Sequence, residues 1–545
     1  MKKSKRRRRP APLPLETGQR LSASMLWRLQ RNFFDRQGIE AWTAGTVPHY
    51  ITSNPWIASS YAQLALAWLE DCAGAGAIDP ARPIYIVELG CGSGRFGYLF
   101  LNRLLELLGR SDLGALQIRY VLTDFTDSNL DPLRNHPHLR PLVEAGVVDF
   151  ARYDAGQDVE IHLSQSGEVL SPETLTNPLL VVANYVFDGI PQDCFSIRGG
   201  RLHENLVTLT SKRPEPDLDD PELLSRLTVD YEERPLPPDE SIDYYGDPEL
   251  DGILREYAGK FDDTTFLFPC AAIRCMRSLG RLSGGKMLLI SGDKGYSEEE
   301  FVSDRGLPEM AVHGSFSLMV NYHAIGRWYE RAGGAFLHAS HLHSSINVTA
   351  GLLGTPSGET AATRRAFEEL VERRGPDDFF DLKKSVEHAY EAMTLEQLLS
   401  WIRFADWDSN ILLGCYPQLM DRLESAPEIL FEEVRRTVLR VWETHFPIRE
   451  TRDVAFHLGV LLIEAGFYAD ALPLLQESIS LYGTNPATVY NIGLCRYHLG
   501  ELEAALECVD QALEAEPGYE AAETLREEIG KAAVEQKRRS SHDET

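Results

Sequence analysis

The sequence predicts an α/β domain built on a mainly parallel sheet, followed by an all-α domain of helical repeats. Three observations predict it. From residue 84 to about residue 340, short apolar runs alternate with segments of helical periodicity, and that alternation implies a parallel sheet covered on both faces. A cluster of glycines at alternate positions directly follows the first apolar run. Beyond about residue 375 the strand pattern stops, and small residues recur at a fixed offset of 34 positions.

Taken in order, residues 1–20 read as a disordered basic tail, with Lys2, Lys3, Lys5, Arg6, Arg7, Arg8 and Arg9 ahead of a Pro-broken stretch. Residues 22–72 read as helical, broken at 50–56 and resuming as an amphipathic run over 57–69. Residues 84–89 form a buried-type strand, and 96–108 a helix with Leu99, Leu101, Leu104 and Leu108 at helical spacing. Further strands are expected at 118–122, 147–153, 179–183, 286–291, 316–320 and 335–339, with a helix near 324–331 between the last two.

Charge narrows the partners. The chain carries 54 Lys and Arg against 82 Asp and Glu, a formal net charge of −28. A body that acidic repels polyphosphate, so neither nucleic acid nor an anionic membrane surface is expected as a partner. The acid is concentrated over 214–263, where seventeen acidic residues face four basic ones among seven prolines. This stretch reads as an insertion, partly structured at best, either simply solvated or attracting a basic protein substrate. No run approaches the ~18 apolar residues of a membrane span, and no apolar segment follows the cationic start as a secretory signal requires. The eight cysteines include no CxxC pair and no His/Cys ligand spacing, which argues for a reducing compartment and against structural zinc. A cytoplasmic location is expected. His338, His341 and His343 read as a polar strand face or hairpin, and no metal site is expected.

In the C-terminal part, Gly459 and Gly493, Gly466 and Gly500, and Ala471 and Ala505 are each 34 residues apart. Small residues at these places allow two helices to pack closely and the chain to turn between them. The segment 451–534 resembles the tetratricopeptide family, whose period this is. The resemblance implies binding of a peptide or partner protein. Residues 376–450 are expected as a helical linker that caps the array, and 535–545 as a disordered tail.

The segment that carries chemistry is Val87-Glu88-Leu89-Gly90-Cys91-Gly92-Ser93-Gly94-Arg95-Phe96-Gly97. Its glycines let the backbone turn tightly and approach a ligand, and the helix behind them offers unpaired N–H groups. Gly92-x-Gly94-x-x-Gly97 also fits a dinucleotide fingerprint. Glu88 separates the two readings, because a carboxylate at the end of the strand repels a pyrophosphate but suits the α-ammonium of an amino acid. Asp124, ending the next strand, is placed to accept hydrogen bonds from ribose hydroxyls.

Acidic–Gly–x–Gly–x–Gly with a second acid after the following strand resembles the class I S-adenosylmethionine (SAM)-dependent methyltransferases. The resemblance implies a Rossmann-like, seven-stranded methyltransferase sheet over 21–375. It also implies SAM as cofactor, held by Glu88, Gly90, Gly92, Gly94, Asp124, Asp154, Ala155 and Asn184, with Asp154-Ala155 at the adenine. A narrower resemblance lies in Asn184-Tyr-Val-Phe-Asp-Gly-Ile-Pro191, which is similar to the Asn-Glu-x-x-Asp-Ala-x-Pro signature of the MidA family. That family includes a mitochondrial complex I assembly factor that methylates protein arginine. Gly292-Asp-Lys-Gly-Tyr296 echoes the family's Asp-Tyr-Gly segment, and the likeness spans about residues 45–350.

The resemblance implies catalytic roles for Asn184, which would orient the acceptor, for Tyr185, and for Asp188. Asp188 reads equally as a base or as a helix N-cap. Tyr185 stands where the family has glutamate, and a tyrosine cannot pair with a guanidinium in bidentate fashion, so arginine is not implied as the acceptor. The expected function is SAM-dependent methyl transfer to a protein side chain, with the repeats choosing the partner or substrate. The alternatives are a small-molecule acceptor, or a SAM-binding scaffold or assembly factor with weak catalysis.

Overall fold

A computed structural model describes residues 13–237, 243–303, 305–354 and 359–543. The chain divides into two compact units, Met1–Asp381 and Leu382–Thr545. The basic residues 2–9 lie outside the described residues.

The first unit is organised by one seven-stranded sheet. Its strands in chain order are β1 (Ile84–Leu89), β2 (Ile118–Asp124), β3 (Val148–Arg152), β4 (Leu179–Asn184), β5 (Met287–Asp293), β6 (Ala335–His338) and β7 (Asn347–Leu353), and they lie side by side as β6-β7-β5-β4-β1-β2-β3. Strands β1 to β5 pair in parallel, while β7 runs antiparallel to both its neighbours. Every residue of β1 is buried, as are the first five of β4. Strands covered on both faces read as unbroken apolar runs rather than alternating ones, which is why these were legible in the sequence. Strand order reverses at β1, whose neighbours are β2 on one side and β4 on the other. In doubly wound sheets, ligands bind outside the carboxyl ends of the strands at such a reversal.

Several expectations need correction. The run expected as a strand at 316–320 is not in this sheet: Ser315–Ser317 pairs with Ala311–His313, and Val320–Asn321 with Gly295–Tyr296. Its place is taken by β7, where Gly351 leaves room for the Tyr329 ring. The acidic segment 214–263 is also no loose insertion. It supplies the strand Leu227–Pro235, paired along its length with Arg201–Ser211, and the helix Pro248–Lys260. Leu250, Ile253, Leu254 and Tyr257 of that helix lie in the same core as Phe195 and Phe266. Asp247 caps the helix, and Asp251 accepts from the backbone N–H groups of Tyr244 and Tyr245. Local acidity concealed a helix whose apolar face is buried.

A second, antiparallel sheet comprises Leu13–Gln19, Asp193–Arg198, Arg201–Ser211, Leu227–Pro235 and Asp263–Phe268. Its hairpin closes with Arg198 opposite Arg201 across Gly199 and Gly200, at φ 55° and 71°, the left-handed pair that a two-residue turn requires. Residues 13–19, expected within the tail, form one of its strands. No helix among the described residues is long and apolar enough to cross a membrane.

In the second unit the helices Val454–Glu464, Tyr468–Tyr482, Pro486–His498 and Leu502–Ala515 form two antiparallel pairs, followed by Glu520–Asp543. A Cβ on Gly459 would sit 2.8 Å from Leu475, and one on Gly493 would sit 3.1 Å from Val509. These glycines are contact points between paired helices. Gly466 and Gly500, both at φ 82°, make the turns. The last helix runs through most of the segment expected as a tail.

Candidate functional site

The glycine cluster turns the chain at the carboxyl end of β1. Gly90, Gly92 and Gly94 stand at φ 59°, 50° and 72°, a region that side chains with a Cβ rarely enter. The turn is also tightly packed: a Cβ on Gly92 would lie 2.9 Å from the Trp42 ring, and one on Gly94 2.7 Å from Leu133. Gly94 is the N-cap of the helix Arg95–Leu108.

Glu88 does not open onto the space in front of this turn. The Tyr120 hydroxyl donates to its Oε2 at 2.9 Å, and Gly97 packs directly over the carboxylate together with Tyr120 and Leu122. Burial pushes the Glu88 carboxyl up to about 8. Glu88 Oε2 is thus taken up by Tyr120, and Glu88 is not among the residues that line the adjoining cavity.

Asp124 does face the space. Its Oδ2 accepts from the Gly92 N–H and its Oδ1 from the Thr126 N–H, both at 3.3 Å, and burial raises it to about 6. It lines a cavity of about 210 Å³ with Gly90, Phe125, Tyr185, Val186 and Asp188. A smaller pocket of about 50 Å³ shares the Gly90, Phe125 and Val186 walls and ends at Tyr153, Asp154 and Ala155. Two acids and a glycine backbone expected at the cofactor thus line two adjacent pockets that share walls.

The turn after β4 forms the opposite wall. Asn184 Oδ1 accepts from the Tyr61 hydroxyl at 2.9 Å, and Asn184 does not line the cavity. Tyr185 stands at φ 51°, which is strained for an aromatic residue and occurs mainly where surrounding structure holds it. Its N–H donates to Gly292 O at 2.9 Å, and its hydroxyl to Ser345 O at 3.4 Å. The next two N–H groups, of Val186 and Phe187, donate to Asp293 Oδ2 at 3.3 and 3.0 Å. Asp188 is buried, and burial raises its carboxyl to about 6 against the opposing influence of Asp293, Ser317 and Lys294.

Sequence reasoning missed the roof and one wall. Helix Leu26–Gln37 and the residues after it bring Gln30, Phe34, Trp42 and Pro48 over the cavity, and Lys294, His313, Ser315 and Ser317 close the remaining side. The Gln30 side-chain amide donates to Phe316 O at 2.9 Å, and Arg31 forms an ion pair with Asp154 while lying over the Phe125 ring. A helical pattern was visible over 22–72, but nothing local tells a helix which cavity it will cover. Among the described residues, no group of three or more His, Cys, Asp or Glu is arranged to hold a metal ion.

Comparison with known proteins gives a tetratricopeptide-repeat family model matching residues 462–529. No curated protein matches the chain. Among solved structures, an uncharacterized superfamily protein from Burkholderia thailandensis is 13% identical with a TM-score of 0.37, covering 62% of this chain and 89% of that one. A candidate methyl transferase from the same organism, bound to S-adenosyl-homocysteine, is 14% identical with a TM-score of 0.36, covering 56% and 79%. YrrB, a tetratricopeptide protein with an unusual peptide-binding site, is 21% identical with a TM-score of 0.22, covering 31% and 83%.

Proposed function

We propose that residues 21–375 are a SAM-dependent methyltransferase of the class I type, acting on a protein side chain. In this reading the repeats over 451–534 select the partner or substrate, with 376–450 as their cap. One observation carries it. A turn of three left-handed glycines follows β1 where strand order reverses, and its Gly90, with Asp124, lines a hollow walled by Tyr185 and Asp188. The seven-stranded sheet accords with the fold that the sequence resemblance implies.

The residues present fit the cofactor. Asp124 would offer carboxylate oxygens to the ribose hydroxyls, Gly90 lets the backbone approach, and Asp154 with Ala155, bordering the smaller pocket, would face the adenine. Bound there, SAM would supply an electrophilic methyl group on a sulfonium. The chain's part is to orient, exclude water and remove a proton. Helix Leu26–Gln37 and Trp42 exclude solvent, Tyr185 borders the acceptor side, and Asp188 accepts the proton released by the acceptor.

Calorimetric titration with SAM, S-adenosyl-homocysteine and NAD tests the pocket. Binding of the first two and not the third is expected, and NAD binding alone would overturn the reading. Incubating the protein with methyl-labelled SAM and cell lysate then finds the acceptor, with label in a protein band as the expected result. A small-molecule acceptor is the second reading. Label confined to the low-mass fraction would select it.

A further inference from the structure

Asp293 ends β5 and is fully buried. Its Oδ2 is satisfied by the N–H groups of Val186 and Phe187. Its Oδ1 is buried and has no hydrogen-bond donor among the described residues. The carboxyl of Asp188, also buried, lies close enough to interact with that of Asp293. Two buried acceptor oxygens lie together only if a proton stands between them, because a buried polar atom without a partner is costly and like charges at contact are more so.

We infer that Asp293 and Asp188 hold one proton between them, carried on Asp293 Oδ1 and donated to Asp188. Asp293 is then a neutral carboxylic acid and a positioning residue. With one oxygen it fixes the strained turn that carries Tyr185, and through its proton it orients Asp188 as the ionised member that faces the cavity. The inference rests on the proposed methyltransferase reading only for what Asp188 does with an acceptor. The shared proton rests on the unpartnered, buried Asp293 Oδ1 and on a second buried carboxyl beside it.

The surrounding groups agree. Lys294 is the nearby cation and acts on Asp188. The groups facing Asp293 besides Asp188 are the hydroxyls of Tyr61, Tyr185 and Tyr322, all held neutral by burial. No cation in this set neutralises Asp293, whose carboxyl burial and the Asp188 charge push well above the usual carboxylate range. During transfer, the acceptor's proton passes to Asp188 while Asp293 keeps its own. Asp188 then returns the acceptor's proton to solvent, so the pair ends with the single proton it began with.

An asparagine reproduces this neutral acid: its amide oxygen accepts from Val186 and Phe187, and its NH2 donates to Asp188. Infrared spectra of the full chain at pH 7, compared between wild type and Asp293→Asn, read the proton without any activity. Glu88, raised to about 8, contributes a carboxylic-acid band of its own, so the difference spectrum is the measurement. Loss of one carboxylic-acid band in Asp293→Asn, with an unchanged melting temperature, is expected. Asp188→Asn should shift that band in frequency, since the proton's acceptor changes from carboxylate to amide, and a purely structural Asp293 would not move it. An identical carboxylic-acid region in wild type and Asp293→Asn would overturn the inference, as would a band that Asp188→Asn leaves unshifted. Failure of SAM binding would instead strike the methyltransferase reading and leave the infrared result standing.

Discussion

Tyr120 donates its hydroxyl to Glu88 Oε2 at 2.9 Å, in a space closed from above by Gly97. The glutamate that reads in sequence as a ligand contact is thereby part of the packing between a strand and the helix that follows it. Burial holds its carboxyl near 8 when folded, above its ordinary value when unfolded. A carboxyl raised by folding contributes stability that is present below its unfolded pKa and is lost as pH rises through the folded value. Wild type and Glu88→Gln should therefore melt alike at pH 5. By pH 9 the variant should be the more stable by on the order of 1–3 kcal/mol. Parallel melting curves at both pH values would show that Glu88 is not buried as a neutral acid.

Gly97→Ala adds a methyl against Glu88, Leu122 and Tyr120, and these neighbours have no free space to yield. A loss of about 1–3 kcal/mol in urea unfolding is expected. Gly530→Ala, where nothing lies within 4 Å of the added methyl, is the control and should be neutral or better.

Asp124 lines the cavity, its carboxylate held by the backbone N–H groups of Gly92, Phe125 and Thr126 and by the Asn129 side chain. Asp124→Ala should weaken S-adenosyl-homocysteine binding by about tenfold to a hundredfold, the worth of charge-assisted hydrogen bonds to a ligand. Calorimetry at pH 7.5 checks this, with melting temperature measured alongside. Unchanged affinity would remove Asp124 from the cofactor site.

Arg31 ties the roof helix to Asp154 with both side chains partly exposed, at 28% and 15%. A pair this accessible adds little to overall stability, but it spans the pocket. Arg31→Ala should leave the melting temperature within a degree or two and raise the dissociation rate of S-adenosyl-homocysteine several-fold in stopped-flow measurements. Added salt should produce the same change in wild type. Equal rates in variant and wild type would mean that the helix does not gate release.

In the repeats, Gly459→Ala should destabilise more than Gly493→Ala, since the added methyl would lie 2.8 Å from Leu475 in the first case and 3.1 Å from Val509 in the second. Thermal unfolding of the two variants ranks them. The reverse order would show that the first pair of helices yields more readily than its packing suggests.

The sequence by itself determined what depends on neighbouring residues. The glycine turn after β1 was legible because left-handed backbone is a local requirement, and the repeats because close helix pairing demands a small residue once per period. The buried strands were legible because both their faces are apolar. Only the tertiary structure decided the rest. Leu26–Gln37 became the roof, the acidic segment became a strand and a buried-faced helix, and Glu88 turned inward while Asp124 turned to the cavity. Asp293 came to rest against Asp188 because β5 lies beside β4 in the sheet. These relationships join residues far apart in the chain, and no local preference encodes them. They follow from the order in which the strands assemble, which brings chemically opposed groups into one buried space and leaves burial and charge to settle which of them keeps a proton.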